Sequence, residues 1–173
     1  MQYVMNNSSK NTLLKFFSGH LDRIYCGKQH LMNSLPALAD QAQFSDLKLA
    51  IMELRDDVRK QIDRMNEIYE LLYLDRNEEG CVGMTALLQE MFEGIDTHRG
   101  EKPFCDLSLI FYLQNIESIE ATSFQMLRLA ASKLGHEGVN QLLRESFDEA
   151  KEDRGLLLQI SQKFMALKGL NAN

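Results

Sequence analysis

The sequence predicts an all-α fold, a bundle of four long helices with one additional short helix in the connection between the second and third. Three observations lead there. Of the 173 residues, 45% are hydrophobic and 25% charged, the balance of one domain able to bury its own core. Only 2 are proline, where average usage would give roughly 9, and good helix formers dominate the rest, which disfavours an all-β sandwich. Apolar residues recur at spacings of three and four over long stretches, and no repeat period suggests a solenoid.

The first helix opens after Asn11 or Thr12 and aligns Leu13, Phe16, Phe17, His20, Leu21, Ile24, Lys28, Leu31 and Leu35 on one face. Pro36 is expected to kink it rather than end it, because Leu38 and Ala39 continue the row. Ser45 reads as the cap of the second helix, whose Leu47, Ile51, Leu54, Val58, Gln61, Ile62, Met65, Tyr69 and Leu72 form the most regular row in the chain. The polar stretch Asp75–Gly83 reads as a loop, followed by a short helix from about Met84 to Gly94. A second loop, Asp96–Pro103, is punctuated by His98, Gly100 and Pro103. Leu109, Leu113, Glu117, Glu120, Phe124, Leu127 and Leu134 trace the third long helix, closed by Gly135 as a C-terminal cap. Val139, Leu142, Ser146, Glu149, Asp153, Leu156 and Ile160 trace the last, which continues toward Lys168. Residues 1–173 are expected to form a single domain, with 1–10 and 169–173 fraying.

Lys plus Arg number 19 against 25 Asp plus Glu, a net charge of −6 with no basic stripe, so nucleic acid is not expected as a partner. The longest apolar stretches, such as Leu107–Leu113, fall far short of the roughly 20 residues that span a bilayer, and Met1–Lys10 lacks the pattern of a signal peptide. No membrane association is expected. Cys26, Cys81 and Cys105 are odd in number and lack a CxxC spacing; they read as reduced thiols in a cytoplasmic protein. His20 is expected to be partly buried with a hydrogen-bonded partner, and His30, His98 and His136 to lie on the surface or in loops, none with a Cys/His companion set.

One anomaly is shared by the four long helices. Each places polar or ionisable residues on its inward face near mid-length: Lys28; Asp57 and Gln61; Glu117 and Glu120; Glu149 and Asp153. Residues three or four apart point the same way on a helix, so these groups are expected to converge. Any one of them alone is compatible with a solvated boundary position. A buried cluster of charges is tolerated when its members pair or hold a metal.

These residues resemble a family. Leu21–Ala39 (LDRIYCGKQHLMNSLPALA) is similar to the first-helix signature of the YciE/YciF-type ferritin-like proteins, and further matches keep their order. They are Ile62-Asp63-Arg64-Met65, Gly80–Met84, Asp106 with Gln114–Glu120, and Leu142–Glu149, spanning about Leu13–Leu167. The resemblance implies a ferritin-like four-helix bundle with an additional short helix, dimeric, in which carboxylates and histidines bind a two-metal centre, in proteins associated with bacterial stress responses. Position by position, the family's first-helix metal-binding glutamate matches Lys28, its second-helix acid Asp57, and a histidine or glutamine Gln61. Its third-helix acids match Glu117 and Glu120, with Ser118 where a histidine stands; in the last helix one of two adjacent glutamates matches Glu149 and the other Ala150.

The reading that follows is a degraded di-metal site: Asp57, Gln61, Glu117, Glu120 and Glu149 remain, Lys28 replaces the metal as core cation, and no cofactor and no catalytic residue are expected. A protein of this kind acts as a stress-associated assembly or interaction partner, as a homodimer, with the protein partner unknown. The alternative is a metal-binding oxidase or peroxide-consuming enzyme that holds iron or manganese weakly on the same carboxylates. A third class, a helix-groove binding module, would dock its partner on an exposed apolar patch.

Overall fold

The computed structural model describes residues 7–77, 80–97 and 102–168. These fold into five helices: α1 (Asn7–Gln41), α2 (Ser45–Leu72), α3 (Val82–Thr97), α4 (Lys102–Leu134) and α5 (Glu137–Leu167). The apolar rows read for α2 and α4 are inward faces; in α5 the buried positions are Leu143, Ala150 and Leu157 rather than the expected Leu142, Glu149 and Leu156, which are half-buried, and Phe16 of the α1 row is exposed. Leu47, Ile51, Leu54, Val58, Met65 and Tyr69 of α2 are all buried, as are Leu109, Leu113, Phe124 and Leu127 of α4. Pro36 lies inside α1, which runs past it to Gln41.

Several boundaries differ from expectation. α1 starts at Asn7, ahead of Asn11, and residues 7–10, expected to fray, form an exposed helical turn. That turn is polar on every side and carries no apolar rhythm to read. Ser45 is the first helical residue of α2 rather than its cap; Phe44 holds the cap position with extended backbone and no side-chain cap bond. The turn that leads into it is held from elsewhere: buried Asp106 of α4 accepts the Gln43 backbone N–H through Oδ1 at 2.9 Å. α3 runs from Val82 to Thr97, longer at both ends than Met84–Gly94. Pro103, expected in a loop, sits in the first turn of α4, where a missing N–H costs nothing. His98 and Gly100 lie outside the described residues, as do 1–6 and 169–173.

Gly135 closes α4 as predicted. Its φ of +81° lets the His136 N–H reach the Ala131 carbonyl at 3.2 Å and the Gly135 N–H reach that of Ser132 at 3.3 Å, a left-handed cap that suits glycine.

Cross-links between helices fix the topology. The 42–44 turn returns α2 antiparallel beside α1, and Asp106 ties the start of α4 to that same turn. α2 therefore ends at the opposite end from where α4 begins, and the segment containing α3 crosses the length of the bundle. α5 then runs back beside α4, with Lys163 near its end paired to Asp46 at the start of α2. α1 packs on α2 and α4, α5 packs on α2 and α4, and α3 lies against α4 and α1.

The crossover is fastened by a bond that the sequence reading did not anticipate. Cys26 of α1 and Cys81, just before α3, form a disulfide with Cα atoms 5.7 Å apart. This corrects the expectation of three reduced thiols. Spacing along the chain, here 55 residues, says nothing about proximity once helices cross. At Gly27, beside Cys26, an added Cβ would stand 3.0 Å from Met84 Cγ and 3.2 Å from its Cβ, so the glycine admits the close approach of α3 to α1. Cys105 remains a thiol, buried and donating to the Ile95 carbonyl at 3.7 Å. Among the described residues, no helix is long and apolar enough to cross a membrane.

Candidate functional site: a buried charge cluster

At mid-bundle the inward faces of the four long helices bring polar groups together. Lys28 of α1 has no exposed surface, and its Nζ donates to Oε2 of Glu120 on α4, itself 2% exposed. The ammonium also lies 5.7 Å from the centroid of the Phe124 ring, a cation over an aromatic face. Glu117, one turn before Glu120, and Gln61 of α2 are fully buried. Both carboxylate oxygens of Glu117, both amide atoms of Gln61, Oε1 of Glu120 and Oδ2 of Asp153 make no hydrogen bond.

Burial and like charge set the protonation of this group. Removal from water, and secondly the neighbouring Glu120, push the Glu117 carboxyl well above the usual range, against the opposing field of Lys28. Burial likewise raises Glu120, with the Lys28 ammonium and its hydrogen bond acting the other way. Asp153 of α5 is pushed up to about 7, first by burial and then by Asp57, with Lys28 opposing. Burial thus favours the neutral form of Glu117, whose two carboxylate oxygens find no hydrogen bond.

The remaining acids are neutralised at the rim. Asp57 is bonded to Lys60, one turn on, at 2.6 Å. Glu149 is gripped by Arg64 of α2 through a bidentate pair, Nη1 to Oε2 at 2.7 Å and Nη2 to Oε1 at 2.6 Å, while the same guanidinium reaches Glu145 at 3.0 Å. The structure thus gives the acids of the expected cluster three cations rather than Lys28 alone. Ser118, where the family pattern has a histidine, donates to the Gln114 carbonyl of its own helix at 2.7 Å.

Sequence reasoning assigned no role to Arg64, Lys60 or Asp106. Arg64 stands three residues after Gln61, hence on the same side of α2, and that spacing was the available signal. Its partners, 81 and 85 residues away, had none. A further polar set links the other end of α2 to α1: buried Asp22 accepts from the Tyr69 hydroxyl at 2.7 Å and from the Asn77 backbone N–H at 3.3 Å. Arg76 covers the Tyr25 ring, its Cζ 4.7 Å from the centroid, and donates to the Tyr25 hydroxyl at 2.7 Å. His20 is partly buried and lies against Phe16, ring centroids 4.3 Å apart; His30 and His136 are exposed.

A helical bundle of this order, with inward carboxylates from facing helices, defines a class of proteins. The chain belongs to the family described as a domain of unknown function (DUF892), whose model matches residues 12–168. In solved structures it is similar to the Escherichia coli stress protein YciF, with a TM-score of 0.85 and 24% identity over 89% of this chain and 97% of that one. It is also similar to YcfI, a putative structural protein from Rhodopseudomonas palustris, with a TM-score of 0.80 and 21% identity over 90% and 95% of the two chains. A third likeness, to a protein from Xanthomonas campestris, has a TM-score of 0.66 and 16% identity over 94% and 99%. None of the curated proteins matches. The chain is accordingly an all-helical protein of YciF type.

Proposed function

We propose that the protein is a non-catalytic, ferritin-like bundle in which a lysine does the work of a metal. The ferritin-like assignment rests on the order of the helices: two antiparallel pairs joined by one long crossover is the arrangement of that class. The observation that carries the functional reading is Lys28, fully buried and bonded to Glu120, at the position that the resemblance matches to a metal-binding glutamate. A ferritin-like di-metal centre draws a carboxylate from each of two helices and a carboxylate plus a histidine from each of the other two. The residues of the cluster do not fit that set. It has no histidine, Arg64 occupies both oxygens of Glu149, Lys60 holds Asp57, and an ammonium within a few ångströms would repel a divalent ion by several kcal/mol.

The role that remains is structural, a stress-associated assembly or interaction protein acting as a homodimer in the cytoplasm. Its stress association is carried over from the Escherichia coli relative, and the structural role agrees with the description of the Rhodopseudomonas palustris one. Metal analysis of purified protein tests it: less than about a tenth of an equivalent of iron or manganese per chain is expected for a site of this kind, against two in a di-metal bundle. Two equivalents would overturn it. Lys28→Glu is expected to raise metal uptake, since it restores the acid and removes the repelling charge.

One observation favours a second reading. The unbonded oxygens of Glu117, Glu120, Gln61 and Asp153 are acceptors of the hard type that suits a single manganese or magnesium ion. A metal-dependent oxidase would then consume oxygen above the solution background when ferrous ion is added, whereas the lysine-filled bundle adds nothing to it.

A further inference from the structure

Cys26, His30 and Cys81 form a second group of ligating atoms, apart from the buried carboxylates. Cys26 and His30 are four residues apart on α1 and share a face, while Cys81 stands at the start of α3. The two sulfurs and one imidazole nitrogen all lie within 4.8 Å of one another. Among the described residues no other three His, Cys, Asp or Glu side chains meet that condition, the core acids included. Cys81 is buried, Cys26 half-buried and His30 exposed, so the group runs from the interior to the surface. A cavity of about 330 Å³, lined by Cys26, His30, Asn33 and Asn77 among others, opens beside it.

We propose that this group is a redox-gated zinc site. While the disulfide is closed, the sulfurs are bonded to each other and have no charge to offer. Opened, they supply two thiolates which, with His30, make a Cys₂His set for one Zn²⁺, and water from the cavity takes the fourth position. Tetrahedral zinc with Zn–S near 2.3 Å and Zn–N near 2.0 Å sets its ligand atoms about 3.5–3.8 Å apart, inside the observed limit of 4.8 Å. Two thiolates cancel the charge of the ion, so the neighbouring Arg76 is no obstacle. Cys81 also stands at the N-terminal end of α3, which favours negative charge, and its carbonyl accepts from the Met84 and Thr85 N–H groups at 3.0 and 3.1 Å.

The steps balance. A dithiol reductant gives two electrons and two protons; the S–S bond breaks to two thiols, and the reductant leaves as its own disulfide. Zn²⁺ then displaces the two thiol protons to solvent. Either state ties α1 to the crossover, by a covalent bond in one and by coordination in the other.

The test is a Co²⁺ titration of the whole chain, before and after reduction by a dithiol that is removed under argon, with Zn²⁺ as competitor. Reduced protein is expected to take up one equivalent, show thiolate-to-cobalt charge-transfer absorption and release the cobalt to Zn²⁺; oxidised protein is expected to show no such band. His30→Ala leaves the disulfide intact. Once reduced, it is expected to bind at least about a hundredfold more weakly, beyond the 10–100-fold effect of changes around a metal site. Cys26→Ser is expected to abolish the band. No band in the reduced chain, unchanged affinity in His30→Ala, or loss of helical circular dichroism on reduction overturns the proposal. An ion held by the core acids would show no thiolate band and would ignore Cys26→Ser, so the two readings fail separately.

Discussion

Lys28 and Glu120 share a position from which water is excluded, and each makes the other tolerable there. Removing one member of a buried pair costs more than the pair contributes, typically 3–5 kcal/mol, because the survivor keeps its desolvation penalty. Lys28→Met is therefore expected to lower unfolding free energy by that order, and by less as pH falls, because burial already raises the Glu120 carboxyl and the ammonium that opposes this is gone; urea titrations at pH 8 and pH 5 check this. Replacing both members with apolar residues of similar volume is expected to be near neutral. Asp153 behaves in the opposite sense. Its carboxyl titrates near 7 in the folded chain and near 3.9 when unfolded, so the folded state holds the extra proton between those values. The stability this contributes is complete below about pH 4 and is lost as pH rises through about 7, at up to about 1.4 kcal/mol per pH unit. Asp153→Asn is expected to flatten the fall in melting temperature between pH 5 and 8 and to melt above the wild type at pH 8.

At the scale of elements, two side chains fasten helices that sequence proximity does not. Asp106 of α4 holds the turn that leads into α2, and burial raises its carboxyl pKa although the Gln43 and Phe44 N–H groups favour its charged form. Asp106→Ala is expected to cost about 1–3 kcal/mol, the penalty for leaving buried donors without an acceptor, read as a drop of several degrees in melting temperature. Arg64 clamps α5 through Glu149 and Glu145. Arg64→Lys keeps the charge but loses the two-pronged geometry, and is expected to destabilise nearly as much as Arg64→Ala. The apolar rows of α2 and α4 were legible because burial repeats with the helical period; Leu47 through Tyr69 needed nothing else. The start of α1 was hidden because an exposed turn has no such period, and Ser45 was misread because Phe44, with no side chain that can cap, holds the cap position. The cluster followed the same division. That Lys28, Gln61, Glu117 and Glu120 face inward could be read from each helix alone, but which cation meets which acid depends on how helices align, as with Arg64 and Glu149.

For the whole molecule, the Cys26–Cys81 bond closes a loop that contains all of α2 and part of the crossover. Chain-entropy reasoning gives such a closure a value of about 4 kcal/mol. Metal-free reduced protein is expected to unfold at a correspondingly lower urea concentration, with the difference recovered on reoxidation. The same topology assigns the partners of the core to different halves of the chain: Lys28 and Gln61 come from the first pair of helices, Glu117, Glu120 and Asp153 from the second. A hairpin of α1 and α2 formed by itself has no acid from α4 to receive the Lys28 ammonium, and must leave it in water. Assembly of either half alone is thus penalised, and docking of the two releases both penalties at once. A lysine at the centre of the bundle in this way couples the folding of its two halves.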